Sequence, residues 1–209
     1  MSSCAILGAS GHGKVIAELA ELNGFKEITF FDDRWPELQQ LEHWSVCGDT
    51  SVLITSVNKY DLVVVAIGNN SIRLEKNHQL KNAGGKLSVL VHPSAVVSKY
   101  ASLGDGTVVM ANAVINSFTD IGEACIINTS STIDHDTVVD DGVHVSPGAN
   151  LAGGVKIGAN SWIGIGAQVK QLVVIGENVI VGAGSTVLHD VLNDQIVVGT
   201  PAHSITSSH

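Results

Sequence analysis

Residues 133–168 read, in blocks of six, IDHDTV VDDGVH VSPGAN LAGGVK IGANSW IGIGAQ. Each block opens on Ile, Val or Leu, and each fifth residue is small or β-branched. The opening aliphatic recurs every six residues from Val97 through Leu103, Val109, Ile115, Ile121, Ile127 and onward to Val187, with no exception. The fifth places run in step from Ala101 to Val191 and include Cys125. Gly often follows the aliphatic, as at Gly104, Gly122, Gly158, Gly164, Gly176 and Gly182.

A strict period of six over so many units is the mark of a solenoid. One strand-plus-corner unit makes one side of a triangular prism, and three units make an 18-residue coil. Successive coils stack at the ladder spacing of ~4.8 Å. The aliphatic residue points into the shaft, and the small residue sits where the corner leaves no room. A sandwich of hairpins would not keep the period, because hairpin loops vary in length. The repeat predicts an all-β parallel β-helix for the C-terminal part.

Before residue 93 the pattern changes. Residues 3–8 (SCAILG) read as a buried strand, and GASGHG (Gly8 to Gly13) turns into a helical stretch with Gly24 at its end. Strands follow at 27–31, ending in Asp32-Asp33, at 61–68 (DLVVVAIG) and at 86–91 (KLSVLV), with a helix of about a dozen residues after Asn69-Asn70. Strands alternating with helices predict a small parallel Rossmann-like α/β sheet. His92-Pro93 closes it, so the expected domains are 1–92 and 93–209.

Composition excludes several classes. With 44% apolar and 15% charged residues the chain is neither disordered nor a charged linker. A net charge of −9, with no Lys/Arg block, argues against nucleic acid as a partner. No apolar run approaches the ~18 residues of a membrane span. The opening MSSCAILGASGHGK lacks the charged and long apolar regions of a signal peptide, and Cys4, Cys47 and Cys125 are scattered. A cytoplasmic location is expected.

Two places carry chemistry. In the N-terminal part the glycine turn, Asp32-Asp33 and Gly68-Asn69 all fall at strand C-termini, where open α/β sheets bind ligands. A Gly-rich turn at a helix N-terminus lets backbone amides approach a diphosphate. The acidic pair suits the donors of a ribose or base edge, and the alternative is a tight βα turn with no ligand. In the repeat, His135 stands between Asp134 and Asp136. A histidine titrates near neutrality, and a neighbouring carboxylate raises its basicity, which suits removal of a proton from an acceptor. Adjacent strand residues face opposite ways, so Asp136 reaches the ring only if the strand is bending into its corner. Gly153 lies one coil after His135, where the missing side chain leaves space for a thioester and a free backbone N–H. His144, half a coil away, reads by itself as an ordinary corner residue.

GASGHG, Asp32-Asp33, AIGNN-x-IR (Ala66 to Arg73), NTSS-x-I-x-H (Asn128 to His135), HVSPGA-x-x-AGGV (His144 to Val155) and VGTPA (Val198 to Ala202) together resemble the hexapeptide-repeat sugar O-/N-acyltransferases. The group includes sialic acid O-acetyltransferases and the UDP-4-amino-sugar N-acetyltransferases of bacillosamine synthesis, and the likeness is greatest to the latter. The resemblance implies a left-handed coil, a homotrimer with sites between subunits, and acetyl-CoA as co-substrate. It implies that Ser10, Gly11, His12, Asp32, Asp33 and Gly68 hold the UDP part of a UDP-2-acetamido-4-amino-2,4,6-trideoxy-hexose, with Asn128 near the sugar. It makes His135 the base, with Asp136 in the place usually held by Glu, and His144, Gly153, Ile165 and Ala183 the acetyl-CoA contacts. The γ-type carbonic anhydrases share this architecture, but their paired H-x4-H ligands have no counterpart among His135, His144, His189 and His203, so no metal is expected. Three functions stand open: N-acetylation of a nucleotide-linked amino sugar, O-acetylation of a sugar, and non-catalytic nucleotide-sugar binding.

Overall fold

A computed structural model describes residues 2–205. The chain forms two compact units, Met1–Pro93 and Ser94–His209. In the first the order is β1 (Ser3–Leu7), α1 (Gly11–Leu22), β2 (Glu27–Phe31), a small hairpin of β3 (Gln40–Leu41) and β4 (Trp44–Ser45), α2 (Thr50–Ser56), β5 (Leu62–Val65) and α3 (Asn70–Asn82). The sheet is parallel, in the order β2-β1-β5. Strands β1 and β5 read as unbroken apolar runs because helices cover both faces. Ala5, Leu7, Phe31, Leu53, Val63, Val65 and Leu80 are buried together. The expected fourth strand at 86–91 does not form as such. Only Leu90–Val91 is extended into a strand, and Lys86 contributes a single ladder bond, its carbonyl accepting from Val63 N at 2.9 Å. Two side chains of that stretch, Leu87 and Leu90, are buried, and the stretch adds no strand to the β2-β1-β5 sheet.

The second unit is a parallel β-helix of two-residue strands. One face stacks strands from Val96–Val97 to Thr186–Val187, six deep. A second face stacks Ser102–Leu103 through Val174–Ile175, and a third runs from Val108–Val109 to Ile196–Val198. Partners along each stack up to Val187 are 18 residues apart, as the repeat requires. Every inward aliphatic from Val109 to Val187 is at most 3% exposed. Each buries ~1.5–3 kcal/mol worth of apolar side chain.

The corners have two devices. All fourteen fourth-place residues from Gly106 to Gly184 have positive φ. Eight of them are not glycine, and they include Phe118, Asp136 and Leu172. Buried hydroxyls at the fifth place close the corners by donating to the next coil: Thr107 Oγ1 to Gly122 O and Ser161 Oγ to Gly176 O, both at 2.7 Å. A buried polar side chain is tolerated there because it is paired. No described helix is long and apolar enough to cross a membrane.

Candidate active site

His135 lies in the corner between the first and second faces of the β-helix, after Thr132–Ile133 and before Val138–Val139. Asp136 is not in a strand. Its φ of 58° turns the chain, and Asp136 Oδ2 sits 2.7 Å from His135 Nδ1. The bend that a carboxylate next in sequence needs is therefore supplied by the left-handed corner, a conformation Asp tolerates better than most residues. An Nδ1–H donated to Asp136 leaves the Nε2 lone pair as the basic atom. The hydrogen bond to Asp136, and then the charge of Asp134, raise the His135 pKa above the ordinary value. Both side chains of the pair are more than half exposed, open to a substrate.

Asp134 has a place of its own. Its Oδ1 accepts from His135 N at 2.8 Å and from Asn116 Nδ2 at 2.9 Å. Those two bonds, in that order, hold its carboxyl below the usual range. Asn116, one coil before Asp134, is a residue the sequence reading missed. The spacing of 18 was the signal for it.

Gly153 meets His135 as the stacking predicts. A Cβ placed on Gly153 would lie 2.7 Å from His135 Cε1 and 2.8 Å from Nε2. The room left by the missing side chain is occupied by the imidazole, so the ring is seated against the Gly153 backbone.

Asn128, His144, Ile165 and Ala183 gather elsewhere on the prism. His144 is in the strand His144–Val145 of the third face, so the corner reading of this residue is corrected. It stands just before the inward Val145, which is the outward place of its hexad. Its Nε2 is 3.0 Å from Asn128 Nδ2, and its ring stacks on Trp162 with centroids 5.9 Å apart and planes 5° apart. Asn128, expected near the sugar, is thus joined to His144, expected near the coenzyme. Ile165 and Ala183 are exposed on the corner that follows this face, one coil apart, with Gly184 N donating to Ile165 O. The whole first face separates this group from His135, Asp136 and Gly153.

In the N-terminal unit Gly8, with φ of 113°, allows the close passage of the loop after β5, since a Cβ there would lie 2.6 Å from Ala66 O. Gly11 and Gly68 are different, because nothing lies within 4 Å of the place a Cβ would take. Their surroundings inside the unit do not demand glycine, and each leaves backbone open to a ligand. Ser10 precedes α1 without capping it through its side chain. Burial, and then the charge of Arg73, lower the His12 pKa to about 4, and its Nε2 is buried without a hydrogen-bond partner among the described residues.

The acidic pair divides. Asp32 is turned into the protein: Oδ2 accepts from Ala9 N at 2.7 Å and Arg34 Nη2 at 3.0 Å, and Oδ1 from Arg34 N and Nε. Burial alone would raise this carboxyl, but the bonds from Arg34 and Ala9 hold it below the usual range. Asp32 therefore clamps the glycine loop. Asp33 is exposed, with Oδ1 accepting from Thr50 N at the start of α2. Among the described residues no group of three His, Cys, Asp or Glu side chains is placed to hold a metal ion.

Residues 3–80 match the family described as PglD N-terminal domain, and residues 154–189 match bacterial transferase hexapeptide (six repeats). The acetyltransferase domain of PglB from Neisseria gonorrhoeae, solved in complex with acetyl coenzyme A, is similar at 41% identity and a TM-score of 0.93. The match covers 97% of this chain and 98% of that one. The chain belongs to the hexapeptide-repeat sugar acetyltransferases. PerB from Caulobacter crescentus, solved in complex with CoA and GDP-perosamine, is similar to this acetyltransferase at 33% identity and a TM-score of 0.93, with 99% of this chain and 98% of that one covered. The UDP-N-acetylbacillosamine N-acetyltransferase of Bacillus subtilis is 38% identical over 117 residues, a stretch that spans 53% of this chain and 52% of that relative.

Proposed function

We propose that the chain transfers the acetyl group of acetyl-CoA to the amino group of a nucleotide-linked amino sugar, with His135 as general base. The observation that carries this reading is the His135–Asp136 pair, with its ring seated over Gly153 and its side chain more than half exposed. The amine attacks the thioester carbon, and His135 Nε2 takes the proton that the nitrogen must lose. The C–S bond then breaks, and the imidazolium returns the proton to the sulfur of the departing CoA. Asp136 holds the tautomer and stabilises the imidazolium. An amino acceptor is favoured by the relatives, which include a UDP-N-acetylbacillosamine N-acetyltransferase and a protein solved with GDP-perosamine.

The N-terminal unit holds the nucleotide in this reading. Ser10, Gly11, His12 and Gly68 face the diphosphate, Asp33 reads the ribose or base, and Asp32 acts through the loop it clamps. The acceptor is a UDP-2-acetamido-4-amino-2,4,6-trideoxy-hexose. His144, Gly153, Ile165 and Ala183 contact acetyl-CoA, and Gly153 also seats the base.

The active chain is a homotrimer with each site between two subunits. Two exposed apolar surfaces support this. One edge carries Tyr100 stacked on Phe118 at 5.4 Å, followed three coils on by Leu172. Phe118 and Leu172 hold this edge with φ of 61° and 65°, values costly for bulky residues. The other surface carries Trp162, Ile165, Ile180 and Val198. Two different surfaces that match head to tail close into a ring, and here one bears His135 and the other His144.

The test is direct. Purified protein with acetyl-CoA is offered UDP-, GDP- and dTDP-linked 4-amino sugars and, separately, a hydroxyl-only sugar, with product detected by mass. Acetylation of the UDP amino sugar is expected. Transfer only to the hydroxyl acceptor, or to none, would overturn the reading.

A further inference from the structure

We infer that Arg73 is a positioning residue for the nucleotide diphosphate: it fixes the turn that faces the glycine loop and supplies, from inside the unit, a positive charge beneath it. The inference rests on the proposed nucleotide binding by the N-terminal unit.

Arg73 is the largest side chain fully buried in the described residues, at 1% exposure. A guanidinium in such a place is costly unless its donors are matched. Three of its bonds converge on one stretch of chain. Nη1 donates to Ile67 O at 3.1 Å and Gly68 O at 3.2 Å, and Nη2 donates to Asn70 Oδ1 at 2.9 Å. Ile67 and Gly68 belong to the turn between β5 and α3, and Asn70 is the first residue of α3. Asn69, in the same turn, caps α3 by accepting from Ile72 N at 3.0 Å. The carbonyls of this turn are thus drawn inward by Arg73, so its backbone is fixed on one side. On the other side Gly68 has nothing within 4 Å of its missing Cβ.

This turn touches the glycine loop. Gly8 passes so close to it that a Cβ would lie 2.6 Å from Ala66 O and 3.3 Å from Ile67 Cγ1. Strands β1 and β5 are parallel neighbours, so the loops leaving their C-terminal ends, and the N-termini of α1 and α3, open on one edge of the sheet. Arg73 also acts on His12 in the first turn of α1, where burial and the guanidinium together keep the ring neutral. The charge therefore reaches the loop that would hold the phosphates.

The chain as a whole is acidic, at −9, and α1 has no charged residue in its cap or first turn before Lys14, which pairs with Glu42. A doubly charged diphosphate in that setting needs compensation beyond backbone amides. A buried guanidinium in a low-dielectric surrounding gives it without touching the ligand. The role separates into two parts, geometry and charge. Lysine at 73 keeps the charge and loses the fork, whereas glutamine keeps donors and loses the charge.

The experiment compares wild type, Arg73→Lys and Arg73→Gln by calorimetry with UDP and by steady-state kinetics with the amino sugar the wild type acetylates. Arg73→Gln is expected to weaken UDP binding and raise the sugar KM about tenfold, with kcat and the acetyl-CoA KM within about twofold. Arg73→Lys should lose only about threefold. An unchanged UDP Kd in folded Arg73→Gln, or equal losses for Lys and Gln, overturns the inference. If Arg73→Gln lacks a cooperative thermal transition, Asn70→Ala decides. It frees Nη2 and should weaken UDP about threefold, and an unchanged Kd contradicts the role. A wild type that binds neither UDP nor GDP fails the functional reading instead, before any variant is compared.

Discussion

Two corners of one β-helix, built from the same hexad, have become unlike. The corner at His135 is polar and exposed, with two carboxylates, a glycine beneath the ring and a backbone pinned through Asn116. The face and corner at His144 and Ile165 are aromatic and apolar: a histidine sandwiched against Trp162, a ring nitrogen held by Asn128, and Ile165 exposed. A repeat fixes where side chains point, and any outward place can then change without disturbing the shaft. One corner suits proton transfer, and the other suits the grip of a long, partly apolar ligand.

The comparison breaks most visibly at the base. His135→Ala should lower kcat by ~10²–10⁴ while both substrates still bind. Steady-state rates with calorimetry check it, and near-normal turnover would remove His135 from the role.

Gly153→Ala sharpens the same corner. The added methyl would overlap the imidazole at under 3 Å, so the ring must move. A base displaced by about 1 Å costs up to ~10²-fold in kcat. The Kd for UDP should be unaltered. A variant that turns over normally would show that the ring has no fixed seat.

Much of this was legible in the sequence, and the gaps have physical causes. The shaft residues are set by a period that nothing else produces, so Val97 to Val187 could be placed by counting. Outward partners needed the register as well as the period. His144 stands one before the aliphatic Val145 and so is on a face, and Asn116 stands 18 before Asp134. Asp136 reaches the ring through a left-handed φ that no residue type announces. Arg73 is in a polar helix, where a charge reads as solvated, and only tertiary packing buries it. The segment 86–91 has the composition of a strand, but only Leu87 and Leu90 of it are buried.

A smaller effect separates the two carboxylates. Because the His135 pKa is raised above the ordinary ~6.5, the acid limb of kcat/KM should lie above that value, activity falling as pH drops through it and the ring takes a proton. Asp136→Asn should move the limb down. Asp134→Asn should move it less, because Asp134 acts through charge and Asp136 through a direct bond. pH–rate profiles of the three proteins decide this, and equal shifts would contradict the ordering.

The central claim is that the two corners meet between subunits, not within one. Chains carrying His135→Ala and chains carrying His144→Ala are each shown to be impaired, then mixed under subunit exchange, with mixed trimers confirmed by native mass spectrometry. A shared site regenerates pairs of wild-type residues in some interfaces, so activity should rise well above both parents. Mixed trimers with no more activity than the parents would contradict it.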